Sequence, residues 1–270
     1  MNGLDTKLRR LRKIVRSVGS AALAFSGGAD STLVAKIAHD ELGDKALAVT
    51  IASPMYPDSE LRQASAVARK IGIEHVVITV DPLTDTRFVS NPPDRCYLCK
   101  RDDIEHIRRL ADSRGLKEIL DGSNADDRDD YRPGLRAKEE MGVISPLAEA
   151  GVTKADVRAI SRRLGLPTAS KSSSPCLASR IPYGEAITRE KLRMIGEAEE
   201  FLRSKGFEPV RVRAHGSIAR IEVPPGQIPR LAAPRTRASV VRKLKSLGFA
   251  YVALDIEGYR TGSLNEVLGR

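Results

Sequence analysis

The chain has 270 residues, 41% of them hydrophobic and 4% aromatic with no tryptophan, which allows a packed core made of aliphatic side chains. Its net charge is +10, and 18 basic against 10 acidic residues from position 171 onward put most of that excess in the C-terminal part. No run approaches the roughly 20 apolar residues that span a bilayer, and the basic start MNGLDTKLRRLRKIVRS lacks the apolar stretch of an export signal, so a cytoplasmic protein with no membrane partner is expected.

Leu4, Leu8, Leu11 and Val15 recur at helical spacing and predict an amphipathic N-terminal helix. AALAF (21–25) reads as a buried strand, followed by a helix over 31–41. Strands at 45–52 and 75–80 bracket a helix over 58–70. Residues 100–114 read as helical, KEILDG (117–122) as a fourth strand, VISPL as a fifth, and 154–164 as a helix. This alternation predicts an α/β fold: a parallel sheet with helices on both faces and ligands at the C-terminal strand ends. From Lys171 the texture changes. KSSSPCLASRIPYGE has no periodicity and reads as a linker. A helix (188–205), two strands (209–214, 218–223), a helix (235–247) and a strand (250–255) then predict a small α+β module. The expected domains are 1–175 and 176–270.

Ser26-Gly27-Gly28-Ala29-Asp30-Ser31 joins the first strand directly to a helix. Adjacent glycines let backbone N–H groups approach phosphate oxygens, and the helix N-terminus favours an anion. Hydroxyls of Ser26 and Ser31 add donors, and Asp30, an anion facing anions, makes sense as a magnesium ligand. The loop is neither a Walker A loop nor a dinucleotide fingerprint. It resembles the SGGxDS loop of the pyrophosphatase-loop family, which implies ATP cleavage between the α and β phosphates. The plain alternative is an ordinary Ser-Gly-Gly turn. In the acidic run after the fourth strand, Asp126 stands nearest the strand end and is a candidate ATP or metal contact.

Three cysteines, Cys96, Cys99 and Cys176, make an odd set that argues against a disulfide framework. A structural zinc site wants four ligands. Three thiolates suit a four-iron, four-sulfur cluster with one iron left open. A redox pair at Cys96 and Cys99, or zinc with a His or Asp as fourth ligand, stays open.

With these features together, the chain resembles the LarE family of ATP-dependent sulfur transferases, which act in nickel-pincer nucleotide synthesis. The resemblance runs nearly end to end, through SGGADS, PPDRCYLCK, DGSNADDRDDYRPGLRA (121–137), SPCLASRI (174–181) and DIEGYRTGSLN (255–265). It implies an adenine nucleotide alpha hydrolase-like fold and adenylation of a carboxylate of a pyridinium dicarboxylate mononucleotide. Sulfur then replaces an oxygen to give a thiocarboxylate. One family branch sacrifices a cysteine matching Cys176. The three-cysteine pattern points to the other branch, in which Cys96, Cys99 and Cys176 hold a [4Fe-4S] cluster carrying an extra sulfide. Arg180, Arg211, Arg213 and Glu222 are implied around the phosphorylated substrate. Arg211 and Arg213 alternate on one strand and so share a face; the alternative is that they pair with carboxylates such as Glu199 or Glu222. Partners expected are a phosphorylated small molecule, sulfide or another sulfur donor, and further copies of the chain in a homo-oligomer. A transfer-RNA thiolase would share the loop and the basic module, but few aromatic side chains exist to stack on bases, which argues against nucleic acid. An ammonia-dependent synthetase has no need of three cysteines, and a non-catalytic nucleotide-binding module would release no pyrophosphate.

Overall fold

The computed structural model describes residues 3–129, 133–171, 175–260 and 262–268. Residues 130–132 of the 121–137 motif and 172–174 of the linker lie outside them, as does Thr261 of the 255–265 motif. The chain divides into two compact units. Met1–Ser53, Pro57–Asp81 and Asp94–Ser174 form the first, and Pro54–Tyr56, Pro82–Pro93 and Pro175–Arg270 the second.

In the first unit, β1 (Ala21–Ala24), β2 (Ala46–Ala52), β3 (Glu74–Thr79) and β4 (Glu118–Leu120) form a parallel sheet in the order β3-β2-β1-β4. The expected strand near VISPL is reduced to one parallel bridge, Leu120 to Ile144. Pro146 explains the loss, because it has no N–H to offer a ladder and instead opens the short helix Pro146–Glu149. Alternation along β1 sends Ala21 and Leu23 to one face, with Leu33 and Ile37 of the helix Ala29–Leu42, Ala64 and Ala68 of Asp58–Ile71, and Val157 and Ile160 of Lys154–Arg163. Leu11 and Val15 of the N-terminal helix Gly3–Ser17 are fully buried in the same cluster. Ala22 faces the other side with Leu47, Val49 and Ile119, against Ile104, Ile107 and Ala111 of the helix Arg95–Ser113. Burying each such Leu or Ile contributes about 1.5–3 kcal/mol.

Because β2 and β3 extend to one side of β1 while β4 lies on the other, the loops leaving β1 and β4 part at this edge. Such a switch point opens a crevice at the C-terminal strand ends.

The second unit holds β5 (Arg211–His215) and β6 (Ile218–Glu222) as an antiparallel hairpin, with β7 (Tyr251–Leu254) parallel to β6 after the helix Pro234–Ser246. Val212, Ala214, Ala219 and Ile221 are buried. The opposite face carries Arg211 and Arg213 paired in register with Glu222 and Arg220. Asn91, at a positive φ of 56°, ties Pro82–Pro93 into this unit by donating through Nδ2 to the carbonyls of Ile181, Pro182 and Glu185 at 3.3, 2.6 and 3.0 Å.

Candidate functional site

The helix Ala29–Leu42 starts immediately after the Ser-Gly-Gly sequence, with Gly28 as its extended N-cap residue. Gly27 has φ of 66°, and a Cβ there would stand 2.7 Å from the Ala64 Cα, so both its conformation and its surroundings demand glycine. The loop's polar groups form a closed set. Gly28 N donates to Ser26 Oγ at 3.4 Å, the Ser26 and Ser31 hydroxyls lie 3.1 Å apart, and Ser31 Oγ donates to the Gly28 carbonyl at 3.3 Å. Ser26 N donates to Ser31 Oγ at 3.3 Å. The β4 exit closes over the helix start at Gly122, where a Cβ would meet Ser31 N at 2.8 Å.

Between these loops lies a cavity of about 490 Å³. Ala24, Ile104, Ile119 and Val143 give it apolar walls, while Ser26, Gly28, Asp30 and Ser31 join Lys100, Lys138 and Lys154 in lining it with donors and charge. Size, the mixed wall and the loop suit a nucleoside triphosphate. Asp30 forms an ion pair with Lys154 and accepts from Asn124 Nδ2 at 3.3 Å. Asp126 accepts from Lys154 N at 2.8 Å, and Asp127 accepts from Asn124 N at 2.9 Å. Among the described residues no three His, Cys, Asp or Glu gather as a metal-holding group. Magnesium does not require one, since it binds through one or two carboxylates and completes its shell with water and substrate phosphate. Asp30 and Asp126 are oxygen donors of that kind.

Asp121 is buried at the end of β4. Burial alone would raise its pKa, but the Lys138 ammonium and donation from Lys138, Ser145 and Ser123 outweigh that and hold it below 3.8. Ser123 and Ser145 donate to it through Oγ, both at 2.7 Å, and Lys138 also donates to Ser123 Oγ at 2.6 Å. Lys100 is half-buried on the cavity wall. Its desolvation is outweighed by Asp103, Cys99 and Asp121, so its pKa is raised and it stays an ammonium. Lys171 approaches the loop from the linker side, donating to Glu60 at 2.7 Å and to the Gly27 carbonyl at 3.3 Å.

The helix expected from residue 100 begins at Arg95, so Cys96 and Cys99 occupy its first turns. Three residues apart on a helix, they are neighbours on one surface. Cys96 is exposed and Cys99 half-buried. Cys176, also half-buried, caps the short 3-10 helix Leu177–Arg180 of the second unit. The described residues thus supply a two-thiol edge in the first unit, with the third thiol belonging to the other unit, and no three-ligand group is formed.

Two arginines of the second unit, Arg180 and Arg213, are bound to buried carboxylates. Arg180, 1% exposed, donates to Glu199 through Nε and Nη2 at 2.8 and 3.0 Å and to the carbonyls of Pro175 and Cys176 at 2.9 and 3.1 Å. Arg213 pairs with Glu222 and donates to the Ser179 carbonyl at 3.0 Å and Ser263 Oγ at 2.7 Å. Glu222 is fully buried and also accepts from Arg220 at 3.0 Å. Arg211 differs. Its guanidinium donates to the Val210 carbonyl at 2.8 Å and lies over the Tyr259 ring at 5.2 Å. Among the described residues it forms no ion pair; burial, with the charge of Arg180, lowers its pKa.

A sequence profile of the NAD synthase family matches residues 5–95, the stretch from the N-terminal helix through the phosphate loop to the cysteine helix. The chain is 45% identical over 265 residues to an uncharacterized protein of Synechocystis, covering 98% of this chain and 99% of that one. It is 40% identical over 269 residues to the pyridinium-3,5-bisthiocarboxylic acid mononucleotide synthase of Lactiplantibacillus plantarum, covering 99% and 97% of the two chains. The chain belongs to the LarE family. An uncharacterized protein of Methanocaldococcus jannaschii is similar at 32% identity over 88% of this chain and 90% of its own. The LarE family and the NAD synthase-like fold to which it belongs use ATP, so this LarE homologue is an ATP-dependent enzyme.

Of the residues singled out from this LarE-type sequence, Ser26, Gly28, Asp30, Ser31 and Asp126 line one cavity, and Gly27 shapes the loop beside it. Arg180, Arg211, Arg213 and Glu222 sit in the second unit. Sequence reasoning missed the cavity lysines Lys100, Lys138 and Lys154, and the Asp121 group. Lys154 had a visible signal: it follows Thr153 at the head of a predicted helix, where a capping box with Asp156 aims the helix start at the strand ends.

Proposed function

We propose that the chain adenylates a carboxylate of a pyridinium dicarboxylate mononucleotide and exchanges one of its oxygens for sulfur. The observation that carries this reading is the cavity between the β1 and β4 loops, which joins a phosphate loop, three lysines and an apolar wall. The relative from Lactiplantibacillus plantarum, named for a bisthiocarboxylic acid mononucleotide, supplies the acceptor class.

The carboxylate oxygen attacks the α-phosphorus, the bond to the bridging oxygen breaks, and pyrophosphate leaves. A sulfur nucleophile then attacks the acyl carbon, and AMP departs with the former carboxylate oxygen. Adenylation is needed because a carboxylate is a poor electrophile with a poor leaving group. Backbone N–H groups of Gly27 and Gly28, the Ser26 and Ser31 hydroxyls, and Lys154 are assigned to the departing pyrophosphate. Asp30, with Asp126, is assigned to magnesium, which would neutralise charge on the phosphates. Arg211 is assigned to the phosphate of the mononucleotide, because a buried guanidinium that forms no ion pair among the described residues is completed by an anion. Arg180 and Arg213, locked against Glu199 and Glu222, are assigned to the frame that holds Arg211 in place, with Glu222 orienting Arg213. Residues 1–175 then serve as the ATP domain, and 176–270 as the substrate-binding and oligomerisation domain.

The sulfur is assigned to Cys96, Cys99 and Cys176, as the three ligands of a [4Fe-4S] cluster whose open iron would carry a sulfide. Support for this part is the three-thiol pattern and the helical Cys96–Cys99 edge. Anaerobic purification with iron and sulfide analysis, followed by turnover with ATP and the dicarboxylate, tests both parts. AMP and pyrophosphate in equal amounts, dependent on the acceptor, are expected from protein that contains iron. ADP as product would overturn the adenylation. Iron-free protein that transfers one sulfur per chain would overturn the cluster and move the sulfur to Cys176.

A further inference from the structure

The peptide unit joining Phe25 to Ser26 is held at both of its polar ends. Its N–H donates to Ser31 Oγ at 3.3 Å, and its carbonyl accepts from Thr50 Oγ1, on the adjoining strand β2, at 2.7 Å. A peptide is planar, so two such anchors fix the direction in which the chain leaves β1. Everything in the phosphate loop hangs from that plane, beginning with Ser26.

Thr50 is itself held. His75 Nε2, on β3, lies 2.8 Å from Thr50 Oγ1. A threonine hydroxyl has one proton. Thr50 gives it to the Phe25 carbonyl, so the hydrogen bond to His75 requires the imidazole to donate. The proton of His75 is therefore on Nε2, and the hydroxyl is locked as acceptor from one side and donor to the other. The ring of His75 also stands edge-on to Phe25, with centroids 5.7 Å apart and planes at 81°. Three neighbouring strands thus contribute one residue each to a chain that ends at the loop: His75 from β3, Thr50 from β2, and the residue that follows β1.

We propose that His75 is a positioning residue for the phosphate loop, acting through Thr50 to set the Phe25–Ser26 peptide plane and with it the nitrogen donors that receive ATP. The inference rests on the assignment of this loop to ATP. A buried carbonyl deprived of its donor turns to find another, and a rotated peptide misdirects Ser26 and the glycine N–H groups that follow. His75 does not line the cavity, so its effect is on how tightly ATP is held.

The test uses the full chain and four variants: His75→Phe, which keeps a ring against Phe25 without a donor; His75→Gln, which restores an N–H; Thr50→Val, which keeps shape without a hydroxyl; and the double variant His75→Phe/Thr50→Val. MgATP affinity by equilibrium titration and thermal unfolding are measured on each. His75→Phe and Thr50→Val should each weaken MgATP binding about tenfold, as expected for one lost buried hydrogen bond, while His75→Gln stays within about twofold of the unsubstituted chain. Because both residues act through one carbonyl, the double variant should bind no more weakly than Thr50→Val alone. Nitrogen NMR of the imidazole should find the Nε2–H tautomer. Four results would overturn the proposal: unchanged affinity in His75→Phe, His75→Gln no better than His75→Phe, multiplying losses in the double variant, or an Nδ1–H tautomer. If Thr50→Val melts too early to titrate, the His75→Phe and His75→Gln pair and the tautomer still decide. An unsubstituted chain that binds no ATP would instead overturn the ATP assignment, a result distinct from ATP binding that ignores His75→Phe.

Discussion

The two charged regions use different chemistry. In the first unit, cations at the phosphate loop are lysines: Lys154 pairs with Asp30 and Lys171 with Glu60, and all four side chains keep 19–33% of their surface exposed. In the second unit, Arg180 and Arg213 are locked against Glu199 and Glu222, with both carboxylates at 0% exposure. An ammonium on a flexible stem can leave its carboxylate for a phosphate and return when the product departs. A guanidinium fork buried against a carboxylate is a fixed element. The first arrangement suits a ligand that is cleaved and released, the second a frame that keeps its shape.

The largest effect should come from breaking the frame. Glu199 accepts from Arg180, from Arg203 and from Val212 N, so Glu199→Gln strands buried cations and should cost about 3–5 kcal/mol, read by denaturant unfolding. At the loop, Gly122→Ala pushes a Cβ toward Ser31 N; overpacking costs of about 1–3 kcal/mol are expected, together with loss of ATP binding in the same titration. Lys154→Met should weaken ATP and pyrophosphate binding about tenfold while leaving the melting temperature near its original value, because the pair it forms is partly exposed. If the melting temperature falls steeply instead, the lysines are frame as well, and the contrast between the units disappears.

Arg211→Met sharpens the contrast from the other side. Arg211 is a buried arginine that forms no ion pair among the described residues, so an apolar side chain of similar length should hold or raise stability while the KM for the mononucleotide rises. The smallest effect concerns pH. Burial, followed by Arg69, depresses the His75 pKa below 6.5. The unfolded chain therefore binds the proton more readily, and the contribution of neutral His75 to stability is present above pH 6.5 and lost as pH falls toward the folded pKa. His75→Phe should flatten the decline of the melting temperature below that pH.

Much of this was legible in the sequence because it was local. Ser26–Ser31 follows a buried strand and opens a helix, and strand alternation placed it at the C-terminal end of a parallel sheet. The helices at 58–70 and 154–164 and the N-terminal helix were set by periodicity. Proline misled the reading at VISPL, where the apolar run suggested a strand that Pro146 denies. The cysteine helix, expected from residue 100, begins at Arg95, soon after the prolines at 92 and 93. What stayed hidden was tertiary. Lys100 and Lys138 are separated by a long stretch of chain, and nothing in their local sequence says that one cavity gathers them with Lys154. The same is true of Thr50 and His75, which read as interior strand positions until the register of β1, β2 and β3 sets them in line.

The central claim is that the loop activates a carboxylate by adenylation, and isotope transfer tests it most directly. With both carboxylates of the mononucleotide labelled with oxygen-18, one label should appear in AMP for each thiocarboxylate formed. Unlabelled AMP, or ADP with labelled phosphate, would contradict the account.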